Sequence, residues 1–206
     1  MNVELKTSPA SVSEMESNAA LAALTCHGNA YKEHVPTEVL SRIIKAGHES
    51  VLEHITLTYS IKGISRALLQ EVSRHRHISL SVESTRHTLR TQLLEEEIEH
   101  YPVRNIIAMD PSTGRSFNFL TEYFNILENL ARNDSELSND ELRYYVPEFW
   151  PTNLVLTVNI RELRHILNLR TSPAALKEFR ELCHAMYEAV PDEYKYLLRD
   201  RVHEEA

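Results

Sequence analysis

The sequence predicts an α+β domain, because helical periodicities recur along the chain, only two segments read as strands, and no internal repeat or linker divides its 206 residues. That length suits one domain spanning 1–206, with enough chain to bury a core without staples.

Ser13 to Thr25 reads as the first helix, since Ser13 and Glu16 have capping-box spacing and apolar residues follow. Pro36 and Thr37 open a second, with Val39, Leu40, Ile43 and Ile44 on one face and Gly47 where a C-terminal cap belongs. His54 to Ile61 predicts a strand: Ile55, Leu57, Tyr59 and Ile61 alternate with Thr56, Thr58 and Ser60. Ser65 to Ser73 returns to helical spacing through Ala67, Leu68, Leu69 and Val72. Arg74 to Arg86 is polar and shows no obvious period. Arg115 to Arg132 predicts an amphipathic helix on Phe117, Leu120, Phe124, Leu127 and Ala131. After a loop over 133–139, Asp140 to Val146 reads as helix and must end before Pro147. Leu154 to Ile160 is aliphatic and β-branched, hence a second strand, and Arg161 to Arg170 is helical. Ser172 and Pro173 cap and start a helix that turns Leu176, Phe179, Cys183, Met186 and Val190 one way. Pro191 ends it, and a short acidic-basic helix closes the chain.

Net charge is −8, which disfavours a general grip on DNA or RNA but permits a small anion held by clustered arginines. The two cysteines, Cys26 and Cys183, form no disulfide framework. The N-terminal stretch MNVELKTSPASVSEMES is too polar for a signal peptide, and no apolar run is long enough to span a bilayer. A cytoplasmic, membrane-free protein is expected. The four glycines (28, 47, 63 and 114) offer neither dinucleotide-fold nor Walker spacing, so any bound phosphates must rest on side chains. Arginine suits that task, because its planar fork matches phosphate geometry.

Four segments carry chemistry. Arg74 to Arg86 holds Arg74, His75, Arg76, His77, Ser79, Ser81, Glu83, Ser84, Thr85 and Arg86, a cation-and-hydroxyl set against an acidic background. It reads as an anion pocket, against the alternative of a solvated basic loop. Gly47 to His54 superficially resembles a zinc helix, but His48 and His54 are six apart and fall on different helical faces, so no metal site is expected. In Asn159 to Arg170, a helix places Arg161, His165 and Asn168 on one face and Leu163, Ile166 and Leu167 on the core side. Arg143, near Tyr144, Tyr145 and Pro147, is the fourth.

Together these segments resemble the flavin-dependent thymidylate synthases. Arg74, His75, Arg76, Ser79, Ser84 and Arg86 stand where that family has its R-H-R and S-x-R residues. Gly47, His48, Ser50, Glu53 and His54 match its upstream element, Arg143 with Pro147 another, and Asn159, Arg161, His165 and Asn168-Leu169-Arg170 its C-terminal one. Glu71 holds the place three before Arg74 where the family has glutamine, and Gln70 stands one earlier. A single-residue bulge in that helix would return Gln70 to the site.

The resemblance implies a small, mostly antiparallel sheet flanked by helices and an enzyme that methylates dUMP to dTMP. The carbon would come from 5,10-methylenetetrahydrofolate and hydride from NADPH through FAD, without an enzyme nucleophile. It implies FAD contacts from His48, Ser50, Glu53, Arg74, His75, Arg76, Glu83, Asn159, Arg161 and His165. It implies dUMP contacts from Gln70, Arg74, Ser84, Thr85, Arg86, Arg143 and Arg170, with Arg170 as the catalytic group at the uracil edge. A homotetramer with shared active sites is implied too. Two other functions compete: a metal-dependent nucleotide hydrolase using His48, His54, His75 and His77, and an RNA-binding module using the arginine-rich segment.

Overall fold

The computed structural model describes residues 1–7, 9–28, 38–94, 116–134 and 136–203. Its elements run β1 (Asn2–Leu5), α1 (Pro9–Cys26), α2 (Glu38–Lys45), a 3-10 turn (Glu49–His54), β2 (Thr56–Ser65), α3 (Arg66–Ser73), β3 (Ile78–Val82) and α4 (Thr85–Leu94). There follow α5 (Ser116–Asn133), α6 (Asn139–Leu142), a 3-10 turn (Arg143–Tyr145), β4 (Pro151–Asn159), α7 (Ile160–Arg170), α8 (Lys177–Glu188) and two closing 3-10 turns, Asp192–Leu197 and Arg199–Arg201. This is the expected α+β class, with a small, mostly antiparallel sheet among helices. Among the described residues the sheet has four strands in the order β1-β2-β4-β3. Thr58 on β2 bonds Thr157 on β4 through their hydroxyls at 2.9 Å, and Gly63 N–H meets Asn153 Oδ1 at 3.0 Å. Partners on β4 step backward as β2 advances, so this pair is antiparallel.

The chain divides into two compact units. One comprises 62–72 and 82–154 with Met1, the other 2–61, 73–81 and 155–206. The first has a cluster of Leu89, Leu93, Leu127, Ala131, Leu142 and Trp150, with Tyr123 and Phe124 packed on it. Phe124 and Trp150 ring centroids lie 5.9 Å apart, tilted by 37°. Arg90 of α4 donates to the carbonyls of Ala131, Asp134 and Leu137, which satisfies the C-terminal end of α5.

The second unit buries Val12, Ala19, Ala20 and Ala23 of α1, Leu40 of α2, and Leu57, Tyr59 and Ile61 of β2. It also buries Leu163, Ile166 and Leu167 of α7, with Phe179, Leu182, Cys183 and Met186 of α8. The alternation expected in β2 therefore holds through Ile61. It breaks at Gly63, where φ is +73°, and the bulge expected in the helix is absent: α3 is a regular α-helix begun by Ser65, whose Oγ accepts Leu68 N–H at 3.0 Å.

Several boundaries differ from expectation. The first helix starts at Pro9, so Ser13 lies inside it and Glu16 is no capping partner: Glu16 is buried and accepts from the Tyr196 hydroxyl. β1 was not anticipated, as four residues are too short to show a period; Lys6 N–H extends its pairing to Thr58 O at 2.7 Å. The stretch after Arg74 is not aperiodic, since Ile78, Leu80 and Val82 alternate with serines in β3 and α4 begins at Thr85. Ser138, rather than a residue further on, caps α6 by a capping box with Glu141, and that helix passes into a 3-10 turn at Arg143. Ser172 and Pro173 lie in a turn held by Arg180, and α8 begins only after Leu176. The closing helix is a pair of 3-10 turns. The expected helix openings at Pro36, Thr37 and Arg115, and the side chains of Phe117 and Leu120, lie outside the described residues.

Candidate active site

β4 passes into α7 without a loop, and Asn159 makes the junction. Its Oδ1 accepts Glu162 N–H at 2.8 Å, which caps the helix and fixes its phase. Arg161, His165 and Asn168 consequently face one side, as expected from their spacing, and line a cavity of about 570 Å³ with Asn159, Glu53 and His77. Arg161 Nη1 donates to Glu53 Oε1 at 2.5 Å across its rim. Three guanidiniums on the lining (Arg161, Arg164 and Arg201) face three carboxylates (Glu49, Glu53 and Glu162), so the cavity is not a cationic cradle. Its size and its amide, imidazole and guanidinium edges suit a flat polar ring system.

Sequence reasoning missed the support beneath this cavity. Arg164 is 1% exposed, and its Nη1 and Nη2 grip Asp200 Oδ1 and Oδ2 at 2.6 Å each. Nη2 also meets Glu49 Oε1 at 3.0 Å, and Arg201 Nη2 reaches the same oxygen at 2.8 Å. Burial pushes the Glu49 and Asp200 carboxyls up, but hydrogen bonds and charge from Arg164, with Arg201, outweigh it and leave both below the usual carboxylate range. The signal existed: Ile160, Leu163, Arg164 and Leu167 fall at i, i+3, i+4 and i+7, an apolar stripe containing one charge.

His75 is also buried, at 7% exposure. Arg170 Nε approaches its Nε2 at 3.3 Å, while its Nδ1 lies 3.4 Å from Glu162 Oε1. Phe179 packs edge-on to the imidazole with centroids 5.8 Å apart, and Arg170 Cζ sits 4.8 Å from the Phe179 centroid. Burial first, then the Arg170 charge, lower the His75 pKa; Glu162 opposes them and His165 adds slightly to the lowering. Arg74 and Arg76, on either side, are exposed, as are His48, just before the first 3-10 turn, and Ser50 within it.

The remaining predicted residues lie in the first unit. Gln70 Nε2 donates to Glu148 at 2.8 Å. Glu83 is enclosed: its oxygens accept Gln92 Nε2 at 2.7 Å and Asn153 Nδ2 at 2.6 Å. Trp150 Nε1 in turn donates to Gln92 Oε1 at 3.1 Å, so Glu83 anchors a packing network. Ser84 accepts Thr88 N–H through its carbonyl at 3.1 Å, and Thr85 is buried at the start of α4. Arg86 forms a fork with Asp140 at 2.7 and 2.9 Å. α4 packs on α6 and on the following 3-10 turn, which carries an exposed Arg143. Among the described residues no three His, Cys, Asp or Glu side chains gather as a metal site. Nor, among them, is any helix long and apolar enough to cross a membrane.

The family model described as thymidylate synthase complementing protein matches residues 10–194. The flavin-dependent thymidylate synthase of Campylobacter jejuni strain RM1221 is 37% identical over 175 residues, covering 82% of this chain and 82% of its own. That of Helicobacter pylori strain 26695 is 38% identical over 164 residues, covering 74% and 76%. A crystal structure of the flavin-dependent thymidylate synthase from Helicobacter pylori complexed with FAD and dUMP superposes with a TM-score of 0.80 at 31% identity, over 98% of this chain and 100% of that one. The chain belongs to the thymidylate synthase complementing protein family, the flavin-dependent thymidylate synthases.

Proposed function

We propose that this protein methylates dUMP to dTMP with FAD as its bound cofactor. The observation that carries the reading is the α7 face: Arg161, His165 and Asn168 line one cavity, in a chain whose relatives are flavin-dependent thymidylate synthases. The related Helicobacter pylori structure holds FAD and dUMP. When bound here, FAD would supply hydride chemistry, with NADPH as reductant and 5,10-methylenetetrahydrofolate as carbon donor.

The charge balance of the cavity fits the isoalloxazine ring better than the pyrophosphate. We assign the ring to Asn159, Arg161 and His165 with Glu53, and the phosphates to the exposed guanidiniums of Arg74 and Arg76. His48 and Ser50 complete the flavin contacts. Glu83 contributes indirectly, by fixing the turn between β3 and α4. For dUMP we assign Gln70, Arg74, Ser84, Thr85, Arg86 and Arg143. Arg86 commits Nε and Nη2 to Asp140, which leaves Nη1 for a phosphate oxygen.

Arg170 is the catalytic group in this reading. A guanidinium at the uracil edge stays protonated and stabilises negative charge on the ring, which makes C5 the better nucleophile. No enzyme nucleophile is needed. The protein acts as one functional domain in a cytoplasmic homotetramer with shared active sites, and engages neither nucleic acid nor membrane.

The test is spectroscopic. Purified protein should show flavin absorption bands that NADPH bleaches, faster with dUMP present. A colourless protein that binds no added FAD would end the reading.

A further inference from the structure

In the second unit, one chain of contacts runs from a half-buried carboxylate through a buried imidazole to the half-buried guanidinium assigned to uracil. Arginine has only donors, so an approach of Arg170 Nε to His75 Nε2 at 3.3 Å requires Nε2 to be the acceptor. The proton of the neutral ring then sits on Nδ1, which faces Glu162 Oε1 at 3.4 Å. Each contact fixes the next: Glu162 selects the tautomer, the tautomer leaves Nε2 bare, and bare Nε2 orients Arg170. Phe179 closes the remaining side, touching both the imidazole and the guanidinium. Glu162 is itself held, because its backbone N–H is bound to the Asn159 cap at the head of the same helix that carries Arg170 near its end.

We propose that His75 and Glu162 are a positioning pair that sets the orientation of Arg170 for the pyrimidine ring, rather than contacts to the flavin. This rests on the assignment of Arg170 to the uracil edge. Glu162 stands in no role that the sequence resemblance supplied, and His75 was assigned by resemblance to FAD. At 7% exposure, with both ring nitrogens engaged inside the protein, His75 has little left to offer a cofactor.

The arrangement carries a pH signature. A protonated His75 would turn an Nε2–H toward the N–H of Arg170, losing the bond and placing two cations in contact. The charged or titratable groups facing His75 come from α7: Glu162, His165 and Arg170; the α8 group is the Phe179 ring. Burial and Arg170 already hold the imidazole toward its neutral form. Orientation of Arg170 should therefore persist at neutral pH and fail as pH falls through and below the ordinary histidine range, near 6.5.

The experiment uses flavin-loaded enzyme and measures dUMP affinity by calorimetry, flavin content by absorbance, and methylation in parallel. His75→Phe should keep its flavin and lose dUMP affinity or kcat by about 10- to 100-fold, the span expected for a hydrogen bond to a charged group. His75→Gln restores an acceptor near the Nε2 position and should recover most of that loss. Because glutamine does not titrate, the wild-type fall in dUMP affinity between about pH 8 and pH 5 should flatten in His75→Gln, dUMP's own ionisation being common to both. Glu162→Leu should weaken dUMP in the same direction. Arg170→Ala is the control: if it binds and methylates normally, the uracil assignment itself fails. If Arg170→Ala is impaired while His75→Phe matches wild type, the positioning pair alone is wrong. Loss of flavin with unchanged dUMP affinity in folded His75→Phe would make His75 a cofactor contact and overturn the proposal. Should His75→Phe not fold, a His75→Gln profile as steep as wild type overturns it equally.

Discussion

Arg164 and Glu49 form an ion pair inside the second unit, Nη2 to Oε1 at 3.0 Å, with the arginine 1% exposed. A buried pair contributes little beyond its desolvation cost, but removing one partner strands the other charge. Arg164→Leu leaves Glu49 with only Arg201, and Asp200 without its fork. Because Glu49 keeps Arg201 and Asp200 is about half exposed, we expect a loss of about 1–3 kcal/mol. For a chain of this length that is a fall in Tm of roughly 2–12 °C. Thermal unfolding checks it, and an unchanged Tm would show the network to be dispensable.

The same network sets the acid limit. The Glu49 and Asp200 carboxyls lie below their ordinary range, burial being outweighed by Arg164 and Arg201. A depressed folded pKa means that the unfolded chain binds more protons, so stability rises with pH through that window. The contribution is complete above the ordinary carboxylate range, near pH 4, and disappears as pH falls below it. Tm measured from about pH 7 down to about pH 3 should drop more steeply for wild type than for Arg164→Leu. Parallel curves would assign acid sensitivity elsewhere.

The legible parts of the sequence were those with a long period or a four-residue face. β2 and α7 follow their patterns because one face of each is core: Leu57, Tyr59 and Ile61 in the strand, Leu163, Ile166 and Leu167 in the helix. The α7 polar face was legible as a set, and Arg161, His165 and Asn168 do meet on one cavity. β3 was not legible because it has only three apolar positions, alternating with serines inside an arginine-rich segment, which is too short a run to set a period. The roles of Glu83 and Glu162 were not legible, because each has a partner far away in the chain: Asn153, 70 residues from Glu83, and His75, 87 residues from Glu162. Local spacing carries no information about such pairs. Arg164 was the readable omission, a charge in an apolar stripe that requires a buried counterion.

The two cysteines should differ sharply. Cys26 is exposed at the end of α1, whereas Cys183 is fully buried on α8 and burial pushes its thiol up to about 12 despite the nearby Arg170. A thiol reagent at neutral pH should modify one cysteine per native chain quickly and the second only on unfolding. Cys26→Ser should abolish the fast phase and leave activity intact. Two fast thiols in the native protein would contradict the packing of α8.

Ser84 is expected to bind rather than attack. Its carbonyl serves the first turn of α4, accepting His87 and Thr88 N–H groups at 2.9 and 3.1 Å. Among the described residues no His, Asp or Glu side chain bonds its hydroxyl, so no base is in place to activate it. Ser84→Ala should retain measurable methylation with weaker dUMP binding. Complete loss of turnover with intact dUMP affinity would make it a nucleophile.

Arg170 gives the sharpest division between cofactor and chemistry. Its guanidinium packs on Phe179 and bonds His75, and it is absent from the lining of the cavity assigned to the flavin ring. Arg170→Ala should therefore purify with a normal flavin spectrum and be reduced by NADPH. The methyl transfer is another matter, because removing a preorganised donor from a developing negative charge slows that step by about 10²–10³. Lysine restores a charge but neither the planar fork nor the stacking on Phe179, so Arg170→Lys should recover only part of the rate. Single-turnover measurements with pre-reduced enzyme separate the two steps. A variant that oxidises NADPH normally but makes little dTMP places Arg170 in the chemistry; one that loses flavin instead places it in the cofactor site.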